Sequence, residues 1–239
     1  YTLWHTLSLH DALPISAPLA DDDDALQHEI AAVALDERVG GPLYERLRAE
    51  PELFAEGLRR ELEFAHATTL IRCEHWVDDV RDLLARLADA GLPALVLKGW
   101  WLVAACYDGD LGAHPVRDLD VLVRGEHVPR VEAVLAAAGW EPDAPDLWPG
   151  FKRRYFDERG YRKAGGDGEP LLLDVHWSLG FDLPGFDAVP SDDWFERALT
   201  AALGTQPFRV PAYEDHFVYL CGHHVIQRSE EHTSELQSL

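Results

Sequence analysis

The run VRDLDVLV, Val116–Val123, constrains the fold more than any other part of this chain. Its charged and apolar residues alternate, and a period of two is the signature of a strand with one buried face. Leu119, Val121 and Val123 share the apolar face, while Asp118 and Asp120 project side by side from the opposite one. Two carboxylates so placed repel each other unless a cation lies between them. A second run, LLLDVHW (Leu171–Trp177), repeats the pattern, with Asp174 and His176 on one face and Leu173 and Val175 on the other. Charged residues in otherwise buried strands are costly unless paired. Three carboxylates converging from neighbouring strands would make an oxygen-rich site suited to Mg²⁺.

The flanking segments read as a mixed α/β chain. Short helices are expected at about Ala25–Arg38 and Leu43–Ala49, with Pro51 placed to open the next helix. Leu58, Leu62, Ala65, Thr69, Cys73, Trp76, Val80, Leu83, Leu84 and Leu87 recur at helical steps, and Gly91-Leu92-Pro93 stops the pattern. Beyond it lie an apolar strand, Ala94–Leu97, an apolar helix, Gly99–Tyr107, the Asp118–Val123 strand and a helix over Val128–Ala138 that ends at Gly139. Lys152–Asp157 and Leu171–Trp177 read as strands separated by the turn Ala164–Pro170, and Tyr213–Val225 as a further helix. The order argues for a mixed sheet with an N-terminal helical layer.

Composition narrows the partners. Asp and Glu number 43 against 21 Lys and Arg, a net charge of -22 that would repel a phosphate backbone, so no long nucleic acid is expected. Cys73, Cys106 and Cys221 form no CxxC pair, which excludes a disulfide framework or zinc knuckle and suits a reducing, cytoplasmic setting. No apolar run approaches the length of a membrane span, so no membrane association is expected. The chain holds no methionine. TLSLHDALPI (Thr6–Ile15) and RSEEHTSELQ (Arg228–Gln237) resemble in-frame translations of short-read sequencing adapters. Residues 1–16 and 228–239 are therefore expected to be adapter-derived, with the biological chain cut at both sides.

Four motifs, in order, carry a resemblance: LVLKGWWLVAACY (Leu95–Tyr107), the DLD strand, the helix ending AAAGW (Ala136–Trp140) and LDVHWSL (Leu173–Leu179). Together they resemble the uncharacterised bacterial nucleotidyltransferases of the DNA polymerase β-like superfamily, over about Ala94–Leu179. The resemblance implies an α/β (α+β) architecture. A mixed β-sheet nucleotidyltransferase core would occupy 92–180, after a linker and N-terminal helices at 17–91. The start of a truncated C-terminal helical region would follow at 181–227. It further implies that Asp118, Asp120 and Asp174 are metal ligands and catalytic acids for two Mg²⁺ ions, or Mn²⁺, with Asp174 placed to activate an acceptor hydroxyl. Gly99 would open the phosphate-side helix, and Lys98 and Arg117 would reach phosphates. The expected reaction moves a nucleotide from an NTP to a hydroxyl of a small-molecule or protein acceptor. Two positions depart from the superfamily: Trp100 stands where a small residue is usual and would crowd a triphosphate, and His114-Pro115 replaces Arg-Pro.

Other residues have structural and functional readings side by side. Lys152, Arg153, Arg154, Arg159, Arg162 and Lys163 form the one basic island, either a solvated hairpin face or a phosphate attractor. His176 is a hydrogen-bonding core histidine or a metal ligand beside Asp174. Trp100 and Trp101 are core residues or base-stacking platforms, and Cys221, His223 and His224 lack the second pair that a metal site needs. Two rival functions follow: a degenerate, non-catalytic accessory protein, and a metallohydrolase using Asp174 and His176.

Overall fold

A computed structural model describes residues 24–36, 40–165, 169–179, 192–203 and 206–223. The adapter-like ends, the linker up to residue 23, the tip of the Ala164–Pro170 turn, and His224 with Val225 lie outside them. Strands β1 (Ala94–Val96), β2 (Leu119–Val123), β3 (Glu141–Pro142), β4 (Glu158–Ala164), β5 (Pro170–His176), β6 (Leu199–Leu203) and β7 (Gln206–Val210) form one mixed sheet. Their order is β3-β4-β5-β2-β1-β7-β6. β2 is parallel to β5 and antiparallel to β1, and β4 is antiparallel to β5. All five residues of β2 are buried, as its place between β5 and β1 requires.

Register decides which side chains meet. Asp120 lies opposite Asp174, Gly160 opposite Asp174, and Glu158 opposite His176. Directly paired residues project from the same side of a sheet, so one face carries Asp120, Asp174, His176, Glu158 and the bare Gly160. The other face carries Leu119, Val121, Val123, Leu173, Val175 and Tyr161, all buried. From that face Tyr161 reaches Glu132 of α5 (Val128–Ala137) at 3.3 Å, and Lys163 reaches Asp79 of α3 (Glu56–Asp89) at 2.5 Å. On the carboxylate side, Leu95, Leu97, Leu122 and Leu179 pack with Trp194 and Phe195 of α7 (Asp192–Arg197) and with Tyr219. Tyr219 belongs to a helix over 213–223, here α8.

The chain divides into two compact units, one comprising residues up to His75 with Tyr107–Val116, the other Trp76–Cys106 with Arg117 onward. In the first, α1 (Asp24–Asp36), α2 (Gly40–Ala49) and the start of α3 share a core of Ala31, Ala34, Leu43, Leu47, Phe54, Leu58 and Leu62. Gly41 is forced there by close approach, since a Cβ on it would fall 1.7 Å from the Ala113 carbonyl oxygen. The second unit holds the sheet together with α4 (Lys98–Cys106), which follows β1. Among the described residues no helix is long and apolar enough to cross a membrane.

Most expected elements are present within a residue or two, but Lys152–Asp157 is not a strand. It overlaps α6 (Phe151–Tyr155), and strand pairing begins only at Glu158. Gly150, at φ 80°, takes the left-handed conformation that glycine accommodates, and the chain turns there into the helix. Phe151 and Tyr155, four residues apart, then meet with ring centroids at 5.2 Å. Pro51 opens a 3₁₀ turn, Pro51–Leu53, rather than α3 itself. The β6–β7 hairpin was not foreshadowed, because LTAAL has no strong alternation.

The carboxylate-bearing sheet rests on its apolar centre. Leu122→Ala, at a site of 0% exposure, is expected to cost about 2–5 kcal/mol. Urea unfolding should show a lower midpoint with an unchanged slope.

Candidate active site

Lys98 sits where β1 turns into α4, with φ 48°, a left-handed conformation that costs a side chain-bearing residue about 1–3 kcal/mol. Two contacts hold it there. Its backbone N–H donates to Nε2 of His216 at 2.9 Å, and its Nζ lies 2.6 Å from Oδ1 of Asp120. Burial pushes His216 down to about 3, so its ring is neutral and can accept. Burial alone would lower Lys98 as well, but Asp120, with smaller contributions from Tyr219 and Glu158, outweighs it and holds the ammonium above its usual range.

Asp120 is 1% exposed. Its Oδ1 meets both Lys98 and Nε2 of His176, the latter at 3.0 Å, while its Oδ2 is buried without a hydrogen-bond partner. His176 places Nδ1 2.9 Å from Oε2 of Glu158. Ionised carboxylates only accept hydrogen bonds, so both ring nitrogens carry protons and His176 is an imidazolium. Against the opposing effect of burial, its bonds to Asp120 and Glu158 push it up to about 9. Burial would raise Asp120, yet His176 and Lys98 keep it below the usual carboxylate range. Glu158 is likewise lowered, chiefly by its bond to His176.

Asp174 behaves oppositely. Burial first, then the charges of Asp120 and Glu158 and more weakly of Asp118, push it up to about 6 against the pull of His176. Three carboxylates, Asp120, Asp174 and Glu158, thus share the face with two cations, Lys98 and His176. The bare Gly160 lets two carboxylates pack against it: a Cβ there would lie 2.7 Å from Oδ2 of Asp143 and 3.2 Å from Oδ1 of Asp174. The hard oxygen donors, the orphaned Oδ2 of Asp120 and the close approach of the Asp143 and Asp174 carboxylates to Gly160 fit a divalent cation in chemistry. Among the described residues no group of three or more His, Cys, Asp or Glu side chains is arranged to hold a metal ion.

The phosphate-side residues are placed less uniformly. Gly99 lies in the first turn of α4. Arg117 is exposed and makes no hydrogen bond or ion pair among the described residues. Trp100 does not crowd the turn: it is 0% exposed, and its indole N–H donates to the Asp118 carbonyl oxygen at 3.1 Å, tying α4 to the entry of β2. Trp101 is buried against His216, ring centroids 4.3 Å apart, so it supports α8. His114 is buried in the first unit and stacks on Tyr107.

The basic island divides. Lys152 meets Asp143 at 3.6 Å, Arg159 meets Glu132 at 3.0 Å and Asp146 at 3.5 Å, and Lys163 pairs with Asp79. Arg153, Arg154 and Arg162 remain exposed, without a carboxylate partner among the described residues. Cys221 is exposed, and the His223 ring stacks on Tyr219. Sequence reading missed Glu158 altogether. Only strand register, which sets it opposite His176, could have pointed to it.

A mixed sheet with acidic side chains in register on two parallel central strands, and a glycine-bearing helix directly after its first strand, is the build of a nucleotidyltransferase core. The chain belongs to the family described as uncharacterised nucleotidyltransferase, whose profile matches residues 23–238. None of the curated proteins compared with it matches.

The electrostatics set opposite signs for two acids in metal-free protein at pH 7. Asp174→Asn should raise the urea midpoint, because it removes a charge that its neighbours disfavour. Asp120→Asn should lower stability by about 3–5 kcal/mol, because it leaves two buried cations without their shared partner. Equal shifts for the two variants would contradict this assignment.

Proposed function

We propose that the chain is a divalent-cation-dependent transferase that moves a nucleotide from an NTP to a hydroxyl of a small-molecule or protein acceptor. The observation that supports it most is the buried, partnerless Oδ2 of Asp120 on a face that also carries Asp174 and Glu158. Asp118, Asp120 and Asp174 would hold Mg²⁺, as two ions, or Mn²⁺. When bound, such a cation supplies Lewis-acid polarisation of phosphoryl oxygens and eases deprotonation of the attacking hydroxyl.

The chain's own residues position and neutralise. Lys98, fixed by its backbone bond to His216, places its ammonium on Asp120 at the start of α4, beside Gly99. Arg117, exposed next to Asp118, is free to bond two phosphate oxygens at once. Asp174 is only partly buried, which leaves it reachable by an acceptor hydroxyl. The three free thiols suit a reducing compartment such as the cytoplasm.

One observation favours a non-catalytic accessory role: Lys98 and His176 together already compensate Asp120 without a metal. The metallohydrolase reading needs His176 to ligate, yet both its ring nitrogens face carboxylates. Calorimetry separates the readings. Titration with an NTP should give Mg²⁺-dependent binding that is abolished by EDTA and weakened at least tenfold in Asp118→Asn, with an unchanged circular dichroism spectrum. Absence of Mg²⁺-dependent NTP binding would favour the accessory role and overturn catalysis.

A further inference from the structure

We propose that His176, seated by Glu158, is a positioning residue that turns Oδ2 of Asp120 towards a bound cation and is not itself a ligand. The inference rests on the reading of Asp118, Asp120 and Asp174 as cation-binding residues. It goes beyond that reading by giving roles to two side chains that it leaves unassigned.

The torsion that orients a carboxylate is soft and has no sharp rotamer preference. Whichever donors contact a buried carboxylate therefore decide where its second oxygen points. Lys98 alone could not fix Asp120, because its ammonium sits at the end of four rotatable bonds. His176 is different. It projects from β5, the strand parallel to β2, and is 3% exposed. Its ring brings Nε2 to Oδ1 of Asp120 at 3.0 Å. Rotating the Asp120 carboxylate would break that bond and the 2.6 Å contact with Lys98 together. With both donors on Oδ1, Oδ2 is the oxygen left for a further ligand.

Glu158 fixes the ring in turn. It lies opposite His176 in the β4–β5 ladder and accepts from Nδ1 at 2.9 Å. The ladder is continued past its end by the backbone N–H of Trp177 donating to the Asp157 carbonyl oxygen at 2.9 Å, and by the Trp177 indole N–H donating to the Phe156 carbonyl oxygen at 2.9 Å. These bonds hold the two strands in register at the level of Glu158 and His176. With each ring nitrogen already within hydrogen-bond distance of a carboxylate oxygen, neither is left over for a metal ion. The ring acts as a bolt between two acids.

Residues that orient metal ligands typically change metal affinity 10–100-fold when removed. Mn²⁺ binding to the full chain, followed by electron paramagnetic resonance, tests this without any need for activity. The wild type should bind Mn²⁺ in a manner abolished by Asp120→Asn and should show no hyperfine coupling to a histidine nitrogen. His176→Leu, similar in bulk but without a donor, should weaken binding about 10–100-fold. His176→Gln, whose amide can still donate to Oδ1, should recover part of that loss, a pattern that a packing role alone would not give.

Glu158→Gln, at a half-exposed position, should weaken binding less than His176→Leu, and it carries the comparison if the leucine variant does not fold. Unchanged affinity in the folded His176 variants or in Glu158→Gln would overturn the positioning role while leaving the cation site standing. Nitrogen coupling in the wild type would make His176 a ligand instead. Absence of any Asp120-dependent Mn²⁺ binding would remove the cation site, and this inference with it.

Discussion

A carboxylate buried in the middle of a sheet is the interaction on which the rest of this structure turns. Removing an ion from water costs several kcal/mol even after the protein relaxes around it, and Asp120, at 1% exposure, has almost no solvent to fall back on. Its charge survives because two cations come to one of its oxygens, and each is placed by a separate part of the fold. Lys98 comes from the β1–α4 turn, whose left-handed backbone is clamped by His216 of α8. His176 comes from β5 and is braced by Glu158 of β4. Trp101, packed on His216, and Trp100, bonded to the Asp118 carbonyl, belong to the same arrangement: the apolar helix α4 is part of the support for a buried charge.

That dependence explains what could and could not be read in the linear chain. The carboxylate face of β2 was legible because a strand has a fixed period of two, which sets Asp120 on the face opposite to Leu119, Val121 and Val123, although Leu122 shares its face and all five residues are buried. Trp100 carried competing readings, crowding of a triphosphate, base stacking or a place in the core, and the direction in which α4 leaves the sheet sends the indole inward. Glu158 was invisible for another reason. Register between β4 and β5 is set by pairing across a hairpin, and no local property of ERGYRKA announces that its first residue will face His176. The segment before it misled through composition. Aromatic and basic residues in FKRRYF suggest a strand, yet Phe151 and Tyr155 are spaced for a helix, and the left-handed Gly150 starts one.

The basic island shows a similar division between fold and surface. Arg159 and Lys163 look outward in sequence, but their partners Glu132 and Asp79 lie on α5 and α3, so they fasten helices to the apolar face of the sheet. A cluster of six positive side chains therefore does not present six charges to a ligand. Arg153 and Arg154 do remain on the surface of α6, one turn of chain before Glu158. Charge counted along a sequence overstates the field that a partner meets, because pairing across elements consumes part of it.

The same accounting applies to the acidic face, with the opposite result. Lys98 and His176 are spent on Asp120 and Glu158, and Asp174 is driven up to about 6, by burial first and then by the charges of Asp120 and Glu158. A triphosphate arriving alone would meet this uncompensated negative charge inside a poorly solvated site, where like charges repel far more strongly than in water. For the proposed transfer, the nucleotide must therefore arrive together with its cation, or after one is already bound. Affinity for the nucleotide and affinity for the cation then become a single coupled quantity. The residues that orient Asp120 would influence both, even though neither His176 nor Glu158 need touch the nucleotide.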